Sequence, residues 1–214
     1  MTTEPQAIFI FGASGHAKVV IDIIERQQRY AIAAVFDDNT ALHGHGFFGY
    51  PVAGGREALL RLHQQEGIGA GIAAIGDNRV RASLAGWLVQ HGIARIAAIH
   101  PNAQIGRGAD IGAGSVLMAG CVVNADTVIG NEVILNTGAT VDHDCRIGDA
   151  VHIAPGSHLC GNVTVGAGSF IGAGCTVIPG VNIGTNVVVG AGSTVLQDIP
   201  NNTRVAGSPC RAIN

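Results

Sequence analysis

Aromatic residues make up only 4% of this 214-residue chain and charged residues 13%. So little bulk argues against an ordinary layered core along the whole length, although 47% of the residues are apolar and burial as such is no difficulty. The formal net charge is −3 and no basic run occurs, which removes nucleic acid as a partner. No apolar run is long enough to cross a bilayer, and the opening "MTTEPQAIFIFGASGHAKVV" lacks the charged and apolar regions of an export signal. A cytoplasmic protein without a membrane span is therefore expected. The five cysteines are odd in number and never spaced CxxC, which argues against a disulfide framework and against structural zinc. Reduced thiols and no metal are expected.

What the chain has in abundance is glycine, 32 residues of it, and the glycines fall into a rhythm. From Ile99 to Val195 an aliphatic residue recurs at every sixth position without a failure. With Ile, Leu and Val forming roughly a quarter of the chain, chance gives such a run a probability on the order of 10⁻¹⁰. Glycine follows the aliphatic residue in eight of these hexads, as in "IGAGSV" and "VGAGSF". The pattern is that of a parallel β-helix in which each hexad supplies a short strand and a turn and three hexads close a coil. The aliphatic residues are expected to point inward, and the glycine after each to adopt backbone angles that a Cβ penalises. Cys121, Cys145 and Cys175 take the fifth place of their hexads and read as packing thiols rather than nucleophiles.

Residues 1–98 follow a different period. "AIFIFGASGH" reads as a buried strand entering a glycine turn, "AKVVIDIIERQQ" as a helix, and "AIAAVFDD" as a strand ending in paired aspartates. Two further helices, "EALLRLHQQEG" and "RVRASLAGWLVQHG", enclose the strand "AGIAAIGDN". The fold class expected is thus an α/β Rossmann-like domain over 1–98, followed by a parallel β-helix over 99–214. The turn holding Ser14, Gly15 and His16 precedes a helix N-terminus, where free N–H groups and the helix dipole favour a phosphate. Lys18 stands where a dinucleotide fingerprint wants glycine, so NAD is weakly supported. Asp37 and Asp38 end the second strand, placed to accept hydrogen bonds from a ribose or base, and Gly76 lies in a second turn on the same edge.

Of nine histidines, His43, His45, His63 and His91 read as solvated side chains. His143 is the sharpest candidate. It is the third residue of its hexad, outside the inward set, within "VDHDCRIG". An exposed imidazole beside a carboxylate is held in one tautomer by an Nδ1–H···O bond, which frees Nε2 to act as a general base. His152 and His158 occupy sixth positions, where either ligand contact or packing is open.

The hexads combined with "IFGASGHAKVVID", "AIGDNRVR", "AIHPNA" and "NTGATVDHDCRIGD" closely resemble the bacterial nucleotide-sugar N-acetyltransferases that act on 4-amino-4,6-dideoxy sugars, members of the left-handed β-helix acyltransferases. The resemblance covers residues 7–210. It implies a homotrimer with acetyl-CoA lying along the coils between neighbours and a UDP- or GDP-linked amino sugar held by the N-terminal domain. On that pattern His143 is the base, Asp144 raises its basicity, and the Gly161 amide stabilises the oxyanion. His152, Ala173 and Ala191 line the CoA site, while Ser14, Gly15, His16, Asp37, Asp38 and Gly76 contact the nucleotide sugar. Arg211 of the tail "GSPCRAIN" is placed near the CoA phosphates, with Cys210 beside it. O-acetylation of a sialic acid or another sugar hydroxyl is the alternative reaction, and a non-catalytic nucleotide-binding or assembly protein the alternative class.

Overall fold

In the computed structural model, which describes residues 5–213, the chain divides into two compact units, Met1–Pro101 and Asn102–Asn214. The first is built on a four-stranded sheet of β1 (Gln6–Phe11), β2 (Tyr30–Phe36), β5 (Ala70–Ala73) and β6 (Ala94–Arg95) in the order β2-β1-β5-β6. All of its pairings are parallel. Helices α1 (Gly15–Gln27), α2 (Arg56–Glu66) and α3 (Asn78–Gln90) make the crossovers. A short antiparallel pair, β3 (Gly46–Phe47) and β4 (Tyr50–Pro51), fills the stretch before α2 and is not foreshadowed by the sequence pattern.

Alternation in β1 splits its apolar residues between two faces. Phe9 and Phe11 join Phe36, Leu59, Leu84 and Leu88 in one buried cluster. The Phe9 and Phe36 rings meet edge to face at 6.2 Å. Ile8 and Ile10 take the opposite face of the strand, and both are fully buried. Each such side chain contributes about 1.5–3 kcal/mol by leaving water. The chain leaves β1 for β2 on one side and reaches β5 on the other, so the strand order reverses at β1. Parallel sheets leave a crevice at such a point, outside the carboxyl ends of the strands.

The second unit is a β-solenoid of two-residue strands. One ladder runs from Gln104–Ile105 to Thr194–Val195 and another from Asp110–Ile111 to Asn182–Ile183. A third climbs from Val116–Leu117 to Val188–Val189 and is capped by Arg204–Gly207 and Cys210–Ala212, the last pair antiparallel. Every rung lies 18 residues from the next, as Val123 with Val141 and Val141 with Leu159. The aliphatic residues from Leu117 to Val195 are buried, as the hexad period requires, but Ile105 is 40% exposed because its strand is the outermost rung of its ladder within this unit.

The glycines behave otherwise than the hexad reading expects. Those that follow the aliphatic residue do not have positive φ; the left-handed angles fall at the fourth place of every hexad from Gly108 to Gly192, whether or not glycine is there. The second-place glycines serve close stacking instead. A Cβ on Gly148 would lie 2.7 Å from the Ala167 nitrogen of the next coil. At the inward fifth place, burial pushes the Cys121 thiol up to about 11, and it raises Cys145 and Cys175 as well. All three are packing thiols, with Cys121 donating to the Leu135 carbonyl at 3.1 Å.

Candidate active site

The turn 142–145 projects from one edge of the solenoid. Asp144 occupies a left-handed fourth place, φ 58°, a conformation that aspartate tolerates better than most residues. There its Oδ2 lies 2.8 Å from His143 Nδ1. The carboxylate accepts the Nδ1 proton, which leaves Nε2 as the basic nitrogen. The hydrogen bond to Asp144 raises the His143 pKa above the ordinary imidazole value against a small desolvation, and the charges of Asp142 and Asp144 add to the rise. Asp142 is employed differently. Its Oδ1 accepts the His143 backbone N–H at 2.8 Å and Asn124 Nδ2 at 2.8 Å, and these bonds hold its carboxyl below the usual range. Of the two carboxylates beside the imidazole, one pairs with the ring and the other fixes the main chain beneath it.

Gly161 lies one coil on, and the imidazole rests against it. A Cβ there would fall 2.6 Å from both Cε1 and Nε2 of His143, so glycine is what allows the ring to lie where it does. Some third-place amides find side-chain acceptors, as Ala113 N–H on Asn131 and Thr185 N–H on Asn201. Among the described residues no acceptor is in place for the Gly161 N–H.

The remaining solenoid candidates are not brought to this edge. Stacked turns define three columns, and His143 and Gly161 share the one that runs up through Arg107 and Ala125. Ala173 and Ala191, both exposed, stand in another with Thr137 and Pro155. His152 belongs to the ladder of Ile134 and Phe170, the face opposite the His143 edge. Its Nε2 accepts Asn136 Nδ2 at 3.1 Å and its ring meets Phe170 edge to face at 5.1 Å. His158 is exposed and contacts Thr140 Oγ1 at 2.9 Å.

In the first unit, the turns after β1, β2 and β5 line the carboxyl edge of adjacent strands. Gly12, at φ 122°, has room for no side chain, since a Cβ would meet the Ala74 carbonyl oxygen at 2.6 Å. Ser14 is the N-cap of α1, yet its side chain makes no capping bond. Ser14 and Gly15 are exposed and His16 is half-buried. Asp37 and Asp38 prove to be structural as well as available. Asp37 Oδ2 accepts the Ala13 N–H at 2.8 Å and Oδ1 that of Asn39 at 2.8 Å, which ties the β1 and β2 turns together. Asp38 pairs with Arg56 at 3.0 Å. Beside it opens a cavity of about 570 Å³ bordered by Thr40, His43, Gly55, Arg56 and Arg61. His43 and His63 are not solvated as the sequence suggests, since their rings contact the Asp37 and Ile68 carbonyls at 2.8 and 3.1 Å.

The profile of the PglD N-terminal domain matches residues 7–88, and that of the bacterial transferase hexapeptide (six repeats) matches 126–161, 144–179 and 162–197. PerB, the perosamine N-acetyltransferase of Caulobacter crescentus solved in complex with CoA and GDP-perosamine, is 41% identical, covers 97% of both chains and superposes with a TM-score of 0.92. The chain belongs to the hexapeptide-repeat acetyltransferases. The acetyltransferase domain of PglB from Neisseria gonorrhoeae, in complex with acetyl coenzyme A, is 35% identical over 98% of this chain and 100% of that one, with a TM-score of 0.89. WeeI from Acinetobacter baumannii is 29% identical over 97% and 100%, with a TM-score of 0.86. A comparison with curated protein sequences found no match.

For an acetyltransferase of this family, two residues that the sequence reading passed over stand out. Asn136 sets the tautomer of His152 through the bond above, and it lies in "NTGAT" at a second place where glycine is the commoner residue. Arg81 is fully buried. Its guanidinium donates to the Ile75 and Gly76 carbonyls at 3.0 and 3.1 Å and to Asn78 Oδ1 at 2.8 Å, so it holds the shape of the turn containing Gly76. No sequence signal separates Arg81 from Arg79, which lies on the exposed side of the same helix. Among the described residues no helix is long and apolar enough to cross a membrane.

Proposed function

We propose that the enzyme transfers the acetyl group of acetyl-CoA to the 4-amino group of a nucleotide-linked 4-amino-4,6-dideoxy sugar of the GDP-perosamine type. The observation that carries this reading is the His143–Asp144 pair, resting on Gly161 with Nε2 as the basic nitrogen. The amine attacks the thioester carbonyl carbon, and His143 Nε2 takes the N–H proton as the C–N bond forms. Charge developing on the carbonyl oxygen is met by the Gly161 N–H, a contribution of about 3–4 kcal/mol when such a donor is aligned. Collapse breaks the C–S bond, and the imidazolium returns its proton to the departing CoA thiolate. Asp144 stabilises the imidazolium in the interval.

The exposed amides along the Ala173–Ala191 column suit an extended pantetheine, with His152 on the adjoining face and Arg211 in the terminal hairpin. Since that column and His143 lie on different edges of one solenoid, a complete site needs a second copy of the chain. A homotrimer with sites between neighbours supplies it. The nucleotide sugar is assigned to the carboxyl edge of the N-terminal unit, its phosphates to the α1 N-terminus at Ser14, Gly15 and His16, and its ribose or base to Asp37, Asp38 and the Gly76 turn. Acetyl-CoA and nucleotide sugars place this activity in the cytoplasm.

The test is release of free CoA thiol from acetyl-CoA on addition of GDP-perosamine, with the UDP-linked 4-amino sugar and a hydroxyl-bearing sialic acid as competing acceptors. Thiol release with an amino sugar supports the reading. Release with the sialic acid alone overturns it in favour of O-acetylation, and no release with any acceptor, together with no CoA binding at millimolar ligand, points to a non-catalytic protein.

A further inference from the structure

The buried hydroxyl of Thr127 lies on the coil preceding His143 and is not exposed at all. Its Oγ1 donates to the Asp142 carbonyl at 2.6 Å and accepts the Cys145 N–H at 3.1 Å. One hydroxyl thus bridges both ends of the four-residue turn that carries His143 and Asp144. The device repeats along the solenoid. Ser115 spans Gly130 to Val133 at 2.8 and 2.9 Å, and Ser169 spans Gly184 to Val187 at 2.8 and 3.0 Å. Each is the fifth residue of its hexad, an inward place that is otherwise apolar or small, and each clamps the turn of the next coil.

What differs at Thr127 is the contents of the clamped turn. The contact between His143 Nδ1 and Asp144 Oδ2 joins sequence neighbours, so its geometry follows from the backbone angles of those two residues. Asp144 holds a left-handed conformation that costs a residue with a Cβ about 1–2 kcal/mol, and the Thr127 hydroxyl ties both ends of the turn that carries it. The imidazole is also seated against Gly161 from this same turn. A shift of about 1 Å in a reacting group can lower a rate by about 10².

We propose that Thr127 is a positioning residue of the reaction, a main-chain clamp that sets the alignment of the His143–Asp144 pair over Gly161. This rests on the reading of His143 as the base. The titratable groups on the turns stacked around the imidazole are Asp142, Asp144 and Cys145 on its own coil, Asp126 on the preceding coil and Cys160 on the following one. Thr127 bonds only the main chain of Asp142 and Cys145 and none of these side chains, so replacing it alters their effect on His143 only through the backbone.

The experiment compares kcat, the two Michaelis constants and the pH profile of Thr127→Val, Thr127→Ala and Thr127→Ser with Ser169→Ala, which removes the same clamp from a turn without chemistry. Thr127→Val and Thr127→Ala should lose about 10- to 100-fold in kcat with both Michaelis constants within about twofold. Their acidic limb should move to lower pH as the Asp144 contact loosens. Thr127→Ser should stay within about threefold of the parent, and Ser169→Ala should lower thermal stability while leaving kcat in place. Should the valine variant not fold, the alanine variant carries the test. Unchanged kcat and acidic limb in the folded variants would overturn the proposal, as would an equal loss in Ser169→Ala. His143→Ala measured alongside separates the two claims. An active His143→Ala removes the base assignment itself, whereas an inactive one with normal Thr127 variants removes only the clamp.

Discussion

At the scale of the residue, the proposed chemistry depends on three groups within one turn and its neighbour. His143→Ala should lower kcat by about 10² to 10⁴, the range for loss of a general base, without unfolding, because the ring is exposed and leaves no internal cavity. With His143 as the proposed base the reaction needs neutral imidazole, so the rate should fall as pH drops through the His143 pKa, which Asp144 and its neighbours hold above the ordinary value. Asp144→Asn removes the largest cause of that elevation, and the acidic limb should therefore move to lower pH with a smaller loss of kcat than in His143→Ala. A rate–pH profile of both variants checks the sign, and an acidic limb that moves upward in Asp144→Asn would count against the pairing. Gly161→Ala tests the seat of the ring. With its Cβ 2.6 Å from two ring atoms, the methyl must push the imidazole aside, so kcat should fall by about 10- to 100-fold while thermal unfolding changes little.

At the scale of the element, the hexad is a turn with two glycine demands of different origin. At the second place the neighbouring coil lies too close for a Cβ; at the fourth the backbone is left-handed, and aspartate, asparagine, glutamate and alanine are all seen there. Gly148→Ala, whose methyl would meet the Ala167 nitrogen at 2.7 Å, should cost about 1–3 kcal/mol by forcing coils apart. Gly138→Asn, at φ 67° with open space around it, should cost about 1 kcal/mol or less, since asparagine accepts that conformation. Chemical denaturation midpoints of the two variants decide the matter, and the reverse order would mean that conformation rather than spacing dictates the glycines. The same logic explains why the turn of "VDHDCRIG" can dispense with glycine. Its fourth place is filled by the aspartate that the imidazole needs.

At the scale of the whole molecule, the proposed trimer makes a quantitative prediction. A site that takes His143 from one copy and the Ala173 column from another can be rebuilt from two inactive parents. His143→Ala and Ala173→Arg, co-expressed in equal amounts, should recover about a quarter of the parental sites, because each site needs one intact partner of either kind and the copies mix at random. Either variant alone should be inactive, the second through loss of CoA binding. Recovery of no activity, or a stable monomer by light scattering at micromolar concentration, would place the whole site on a single chain.

The period, and with it the solenoid, is legible in the order of residues alone. A six-residue repeat of aliphatics is a statement about which side chains share an interior, and no tertiary detail is needed to read it. Also legible were the α/β order of the first unit and the singularity of His143, an imidazole between carboxylates in a chain short of charge. The folded chain settles what depends on residues 18 positions apart meeting across coils. It chose Asp144 rather than Asp142 as the partner of the ring, laid the ring on Gly161, and gave Asn124 and Thr127 their tasks. It put Ala173 and His152 away from the His143 edge. It also turned Asp37 into a tie between two loops and buried Arg81 beneath the Gly76 turn. Such contacts arise from stacking and closure, where one small residue admits a neighbour and one hydroxyl spans a turn, and linear spacing carries no record of which side chain fills which gap.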